Sequence, residues 1–174
     1  FMAERVNKRM NIASKLAVMP PWPLEDYGEV VPHEKNAFRT KHNLGSGADS
    51  KFVFMYSGNH GPTNPIKTLL DAAVKLKDDK RLMFMFVGGG IGKKEVEEYI
   101  KANPDAQIVS LPYQPLSDLK YSLSAADVHL VTVGNEAVGI VHPCKVYGAM
   151  AVARPVLLLG PKPCHVSDIL DQHG

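Results

Sequence analysis

Cysteine is nearly absent from this sequence: Cys144 and Cys164 are the only two in 174 residues. That is too few for a disulfide framework and points to a reducing compartment such as the cytoplasm. Long apolar runs are absent too, and no stretch approaches the roughly 20 residues of a membrane-spanning helix. The basic start, with Arg5, Lys8, Arg9 and Lys15 against Glu4, lacks the apolar centre and small-residue cleavage site of a secretory signal. Charge of one sign is not in excess. Twenty basic and 18 acidic residues leave a net charge of +2, which gives no argument for nucleic acid or for a strongly acidic partner. No Ser-His-Asp set and no pair of carboxylates stands out. The Gly88-Gly89-Gly90 run is not a full dinucleotide fingerprint and requires no NAD. His142, Cys144, Cys164 and His165 are of types that suit zinc, but their spacing matches no known knuckle. No metal is expected.

What is present is a regular alternation. The chain is 45% hydrophobic, enough for one core of ordinary size. Residues 1–15 read as the end of a helix and Leu16–Met19 as a short strand. Pro20-Pro21-Trp22-Pro23 is an extended connector, because a residue before proline is pushed out of the helical region. Glu25, Asp26 and Glu29 read as a solvated loop, and 34–42 as a short helix ended by Gly45-Ser46-Gly47. From Lys51 onward, continuous apolar runs at 52–56, 82–87, 107–110, 127–133 and 155–159 predict five strands covered on both faces. Helices are predicted between them at 66–76, 93–102, 116–123 and 143–153, with one more from Val166. This pattern predicts an α/β fold: a Rossmann-like, doubly wound parallel sheet. The turns at 57–62, 88–92, 111–115, 134–143 and 160–164 all follow strands, so they collect on one edge, where such sheets bind ligands. Both ends of the chain read as cut, and a sixth strand is expected just after Gly174.

The stretch from Gly139 to Val156 reads as a loop, a short helix and the start of a buried strand. Pro143 suits the first helical position, with His142 at the cap, and Gly148, Ala149, Ala151 and Ala153 let the helix lie close on the sheet. Lys145 is the odd member, because a cation in the first turn opposes the helix dipole. It fits an anion held there by the lysine and free backbone N–H groups; the alternative is a lysine pointing into water. In the first glycine turn, Gly58 and Gly61 either approach a phosphate or serve only the turn. His60 either donates to a phosphate or is an exposed loop histidine. Tyr113 either stacks on a base or is a partly buried aromatic.

The order of four motifs resembles the C-terminal, donor-binding domain of glycosyltransferase family 4, which has the GT-B fold. They are Tyr56-Ser57-Gly58-Asn59-His60-Gly61, Phe86-Val87-Gly88-Gly89-Gly90, Ala125-Ala126-Asp127-Val128, and Pro143-Cys144-Lys145-Val146-Tyr147-Gly148 through Met150-Ala151 to Arg154-Pro155-Val156. The resemblance is strongest to the branch that makes cell-surface polysaccharides, with Cys144 in a position usually held by serine. It implies retaining, metal-independent transfer of a sugar from a nucleotide-diphosphate donor, UDP by preference, with no cofactor beyond that donor. It implies an interdomain linker and end of an N-terminal domain at 1–24, and the donor domain at 25–174. The acceptor, a sugar or a lipid-linked glycan, would bind the missing N-terminal domain, as would any peripheral membrane contact.

By the same resemblance the diphosphate meets Gly58, Asn59, His60 and Gly61 together with His142, Pro143, Cys144 and Lys145, and the base and ribose lie near Gly89 and Tyr113. Lys145 carries the catalytic role. The chain departs from the family where an arginine and a lysine usually follow the first glycine turn, for here stand Asn59 and Asn64. It departs again where two glutamates usually flank the central helix, for here stand Ile140 and Gly148. Lys145 is thus expected to be the one strong cation for the diphosphate. Two other functions fit the same pattern: a non-enzymatic nucleotide- or phosphate-binding module, and a nucleotide-sugar epimerase of the same architecture.

Overall fold

A computed structural model describes residues 1–19 and 30–173. The strands are β1 (Phe52–Ser57), β2 (Leu82–Val87), β3 (Ile108–Leu111), β4 (Val128–Thr132) and β5 (Val156–Leu159). They form one parallel sheet in the order β3-β2-β1-β4-β5. The helices are α1 (Met2–Asn7), α2 (Ala37–Lys41), α3 (Lys67–Lys75), α4 (Lys93–Ala102), α5 (Leu119–Ser124), α6 (Lys145–Ala151) and α7 (His165–His173).

Alternation along the strands explains the layers. Tyr56, Phe84, Phe86 and Leu130 point to one face, where Leu69, Leu70 and Ala73 of α3 and Val96 of α4 cover them. Val53, Met55 and Met85 point to the other, against Phe38 of α2 and the Ala125–Ala126 pair after α5. On that second face Val131 also meets Val146 of α6 and Val166 of α7. Each fully buried aliphatic side chain of this kind contributes about 1.5–3 kcal/mol.

Several local expectations are corrected. Leu16–Met19 is not a strand; it pairs with no neighbour among the described residues, and Val18 and Met19 are exposed. The helix expected at 34–42 begins only at Ala37, because the Asn36 side chain caps it by accepting from the N–H groups of Phe38 and Arg39. It ends at Lys41, and Asn43, with a φ of 54°, turns the chain before Gly45. The segment after Pro115 opens as a 3-10 turn, Leu116–Asp118, before α5. The central helix starts at Lys145 with Cys144 at its cap, so Pro143 lies outside it. β5 is an edge strand with Leu157 half exposed rather than a buried one. The expected connector at 20–23 and the acidic loop at 25–29 lie outside the described residues.

Arg39 and Asp127 pin the second face. Arg39 is buried and donates to the carbonyls of Leu44, Gly45, Lys51 and Ala125, to Ser50 Oγ and to Asp127 Oδ2. The same Asp127 oxygen accepts the Val53 N–H at 2.8 Å, and the Asp127 N–H donates to the Val53 carbonyl at 2.9 Å. The aspartate of the Ala-Ala-Asp-Val motif thus stitches β1 to the start of β4.

His129 sits in β4 opposite Met55, buried, with Nε2 3.0 Å from the Leu123 carbonyl oxygen. Burial pushes its pKa down to about 4, with Arg154 acting in the same direction. The unfolded chain restores a value near 6.5, so between pH 6.5 and 4 the unfolded state binds more protons than the folded one. Stability is therefore full above about pH 6.5 and falls as the pH drops toward 4, by on the order of 3 kcal/mol from this residue. Burial lowers His33, His42 and His60 as well, and they act in the same direction. Urea unfolding of the parent and of His129→Gln at pH 7 and pH 4.5 separates the contributions. The variant should lose clearly less stability on acidification, and equal losses would mean that other histidines carry the effect.

Candidate donor-binding site

With the strand order β3-β2-β1-β4-β5, the order reverses between β1 and β4. The crevice at that reversal is flanked by the loops after β1 and β4, and ligands of open parallel sheets bind at such a point. Hydrogen bonds cross it: the Gly134 N–H donates to the Thr63 carbonyl at 2.9 Å, and Lys145 Nζ donates to the Asn59 carbonyl at 3.2 Å.

Lys145 lies partly buried over the glycine turn. Its ammonium is 4.9 Å from the centroid of the Tyr56 ring, and burial lowers its pKa. The side chain passes over Gly58, where a Cβ would stand 2.8 Å from Lys145 Cε. Asn59 O accepts a second bond from the Tyr56 hydroxyl at 2.8 Å. An ammonium has three donors; one of them meets a neutral carbonyl here, and no carboxylate pairs with this lysine among the described residues.

The two glycine turns are interlocked. Gly88 has a φ of 134°, and a Cβ there would lie 2.1 Å from the Gly58 carbonyl oxygen. The Gly58 N–H donates to Val87 O and the His60 N–H to Gly89 O, so these two donors of the first turn are already committed to the second. His60 is not an exposed loop residue. Its ring is buried between Tyr56 and Phe86, with Nδ1 3.0 Å from Gly89 O. Burial lowers its pKa, and Lys145 and Lys93 add to the effect. Its contribution is to hold one turn against the other. Gly61 lies beside the Asn59 side chain.

Gly89 lies under Tyr113, whose ring edge would be 3.0 Å from a Cβ there. Tyr113 is well exposed, so its ring is open to a partner. Pro143 is buried, and Cys144 is exposed with Sγ 3.3 Å from His142 O. His142 turns away from the helix cap toward Tyr147 and His165. Among the described residues no group of three or more His, Cys, Asp or Glu side chains could hold a metal ion. No helix there is long and apolar enough to cross a membrane.

Sequence reasoning missed Lys93, Arg39 and Tyr147. Lys93 Nζ donates to the carbonyls of Gly88 and Leu111, tying the ends of β2 and β3 together. Its signal was the one used for Lys145: a lysine opening a helix after a glycine turn. For Arg39 the signal was its partner, a charged Asp127 set between two alanines and a buried strand. Tyr147 sits within the motif already quoted, where nothing in the sequence sets it apart.

The comparisons with known proteins agree on one family. The model for "Glycosyl transferases group 1" matches residues 38–161. The probable glycosyltransferase WbjE of Pseudomonas aeruginosa is 28% identical over 173 residues, which is 99% of this chain and 42% of that protein. The chain thus spans less than half of that relative. Among solved structures, WaaG, described as a glycosyltransferase involved in lipopolysaccharide biosynthesis, superposes with a TM-score of 0.70 at 14% identity over 97% of this chain and 49% of its own. Anabaena HepE, solved in complex with UDP and glucose, gives 0.61 at 18% identity over 82% of this chain and 37% of its own.

Proposed function

Because this chain belongs to the glycosyl transferases of group 1, we propose that its sheet edge binds a nucleotide-diphosphate sugar, UDP-linked by preference, for transfer to a glycan or lipid-linked acceptor. The observation that carries this reading is Lys145: a partly buried ammonium at the strand-order reversal, with donors to spare and no carboxylate partner among the described residues. The diphosphate lies against it and the Gly58–Gly61 turn; the base lies toward Gly89 and Tyr113. UDP in a solved complex of HepE supports the choice of base.

In the transfer the bond from the anomeric carbon to the β-phosphate oxygen breaks and its electron pair stays on the diphosphate. A bond from the acceptor hydroxyl oxygen to that carbon replaces it with retention, and the hydroxyl's proton passes to the leaving diphosphate. Lys145 stabilises the negative charge that grows on the leaving diphosphate, an electrostatic contribution strongest in a water-poor site. His60 and Lys93 act as positioning residues that hold the loops against one another. The acceptor binds on a part of the protein outside this chain.

Calorimetry with UDP and UMP tests the site. A second phosphate adds a charge-assisted hydrogen bond worth about 1.5–3 kcal/mol, so UDP should bind roughly ten- to a hundred-fold more tightly than UMP. Equal affinities would remove the diphosphate site.

A further inference from the structure

Two imidazoles and a phenol form an array that the reading above does not use. His142, in the loop after β4, and His165, at the start of α7, lie ring to ring with centroids 3.6 Å apart. The Tyr147 hydroxyl, from the first turn of α6, meets Nε2 of His142 at 2.9 Å and Nε2 of His165 at 3.1 Å. The Tyr147 side chain is buried, and its ring stacks on that of His142. Neither Nδ1 has a partner among the described residues.

A phenol carries one proton. Placed on either of the two bonds, it makes one imidazole the acceptor and leaves the other to donate. In a neutral imidazole the second nitrogen has the opposite role to the first. The array then offers one donor and one acceptor at its two Nδ1 positions. Burial holds both imidazoles below their ordinary value, so both are neutral near pH 7. A neutral donor–acceptor pair suits hydroxyl groups, which both give and take a hydrogen bond, better than it suits an anion. Both rings line a cleft of about 380 Å³ whose walls include Met2, Val6, Leu16 and Val141. An apolar wall opposite a hydrogen-bonding pair matches a pyranose, with its C–H faces and hydroxyl edges.

Position along the sheet points the same way. Gly89 and Tyr113 follow β2 and β3, Lys145 bridges the reversal between β1 and β4, and the array joins the loops after β4 and β5. A donor with its base at the first place and its diphosphate at the second brings its sugar to the third. We infer that the His142–Tyr147–His165 array recognises hydroxyls of the donor's sugar and sets which sugar is accepted. The inference rests on the donor-binding reading above.

The test is calorimetry of UDP, UDP-glucose, UDP-galactose and UDP-N-acetylglucosamine with the parent, Tyr147→Phe and His165→Ala. Tyr147→Phe keeps the packed ring and removes the link between the imidazoles; His165→Ala removes one of them without changing α6. The parent should separate the three sugar donors by about three- to tenfold, the worth of one or two neutral hydrogen bonds. Both variants should narrow that spread to about twofold or less while UDP itself binds as to the parent. A spread that survives in both variants overturns the inference and leaves the donor site standing, as does a parent that binds all three sugar donors alike. A parent that does not bind UDP removes the donor site, and this inference with it. Thermal unfolding accompanies each variant, and if Tyr147→Phe does not fold, His165→Ala decides.

Discussion

Lys145→Ala is expected to weaken UDP binding about ten- to a hundred-fold, the loss of one charge-assisted hydrogen bond of about 1.5–3 kcal/mol, while the ligand-free protein stays about as stable as the parent. The second half of that expectation follows from the surroundings. The Asn59 carbonyl still accepts the Tyr56 hydroxyl after the lysine is gone, so no buried acceptor is orphaned. What is lost is the cation over the Tyr56 ring and the stem packed on Gly58. What is recovered is the cost of holding an ammonium partly out of water, the cause of its lowered pKa. These oppose one another, and the net should fall within about 1 kcal/mol. Lys145→Arg should keep only part of the binding, because a planar fork differs from a compact ammonium. Uridine, having no phosphate, should bind all three proteins alike. Calorimetry with UDP and uridine, beside thermal unfolding of the free proteins, reads both halves. A Lys145→Ala protein that binds UDP like the parent, or one that unfolds far more easily, would make Lys145 a surface or structural residue.

Arg39→Ala should be the most damaging single change to the fold, at about 3–5 kcal/mol. It removes six hydrogen bonds at once, leaving the carbonyls of Leu44, Gly45, Lys51 and Ala125 without this donor and Asp127 without its guanidinium. Against a typical total of about 5–15 kcal/mol, that is a large share. Arg39→Lys should recover little, since one ammonium cannot reach acceptors spread around a planar fork. Asp127→Asn should cost less than Arg39→Ala, because an amide oxygen can still accept the Val53 N–H. Urea unfolding of the three variants gives the ranking. Arg39→Ala within about 1 kcal/mol of the parent would mean that water replaces the guanidinium without cost, contrary to its burial.

The strands were legible because buried parallel strands are continuous apolar runs, and Phe52–Tyr56 and Leu82–Val87 have no other reading. Helix starts were less so. Asn36 sets one through a side-chain cap that hydrophobic periodicity does not report, and α6 begins at Lys145 with no side-chain cap at Cys144. Lys145 was legible as a cation in an unfavourable place. His60 was not: a histidine between glycines reads as a surface turn, and only the folding of one glycine turn onto the other buries it. The contact of His142 with His165 needs residues far apart in the chain, and Tyr147 joins them from a third element.

The pairing within the sheet is uneven. β1 is registered with β2 along six residue pairs but with β4 along only two, Phe54 with Val128 and Met55 with His129. The sheet is mechanically two ribbons, β3-β2-β1 and β4-β5, sharing a short seam. Below, Asp127 fastens the seam to Val53; above, where the ribbons part, the Gly134–Thr63 and Lys145–Asn59 bonds are the stitches. A seam of this kind yields before the ribbons do under any load that separates them. Whatever bridges its open end from the loop after β1 to α6 adds to the stitching, so a ligand held there would also set the angle between the two halves of the sheet.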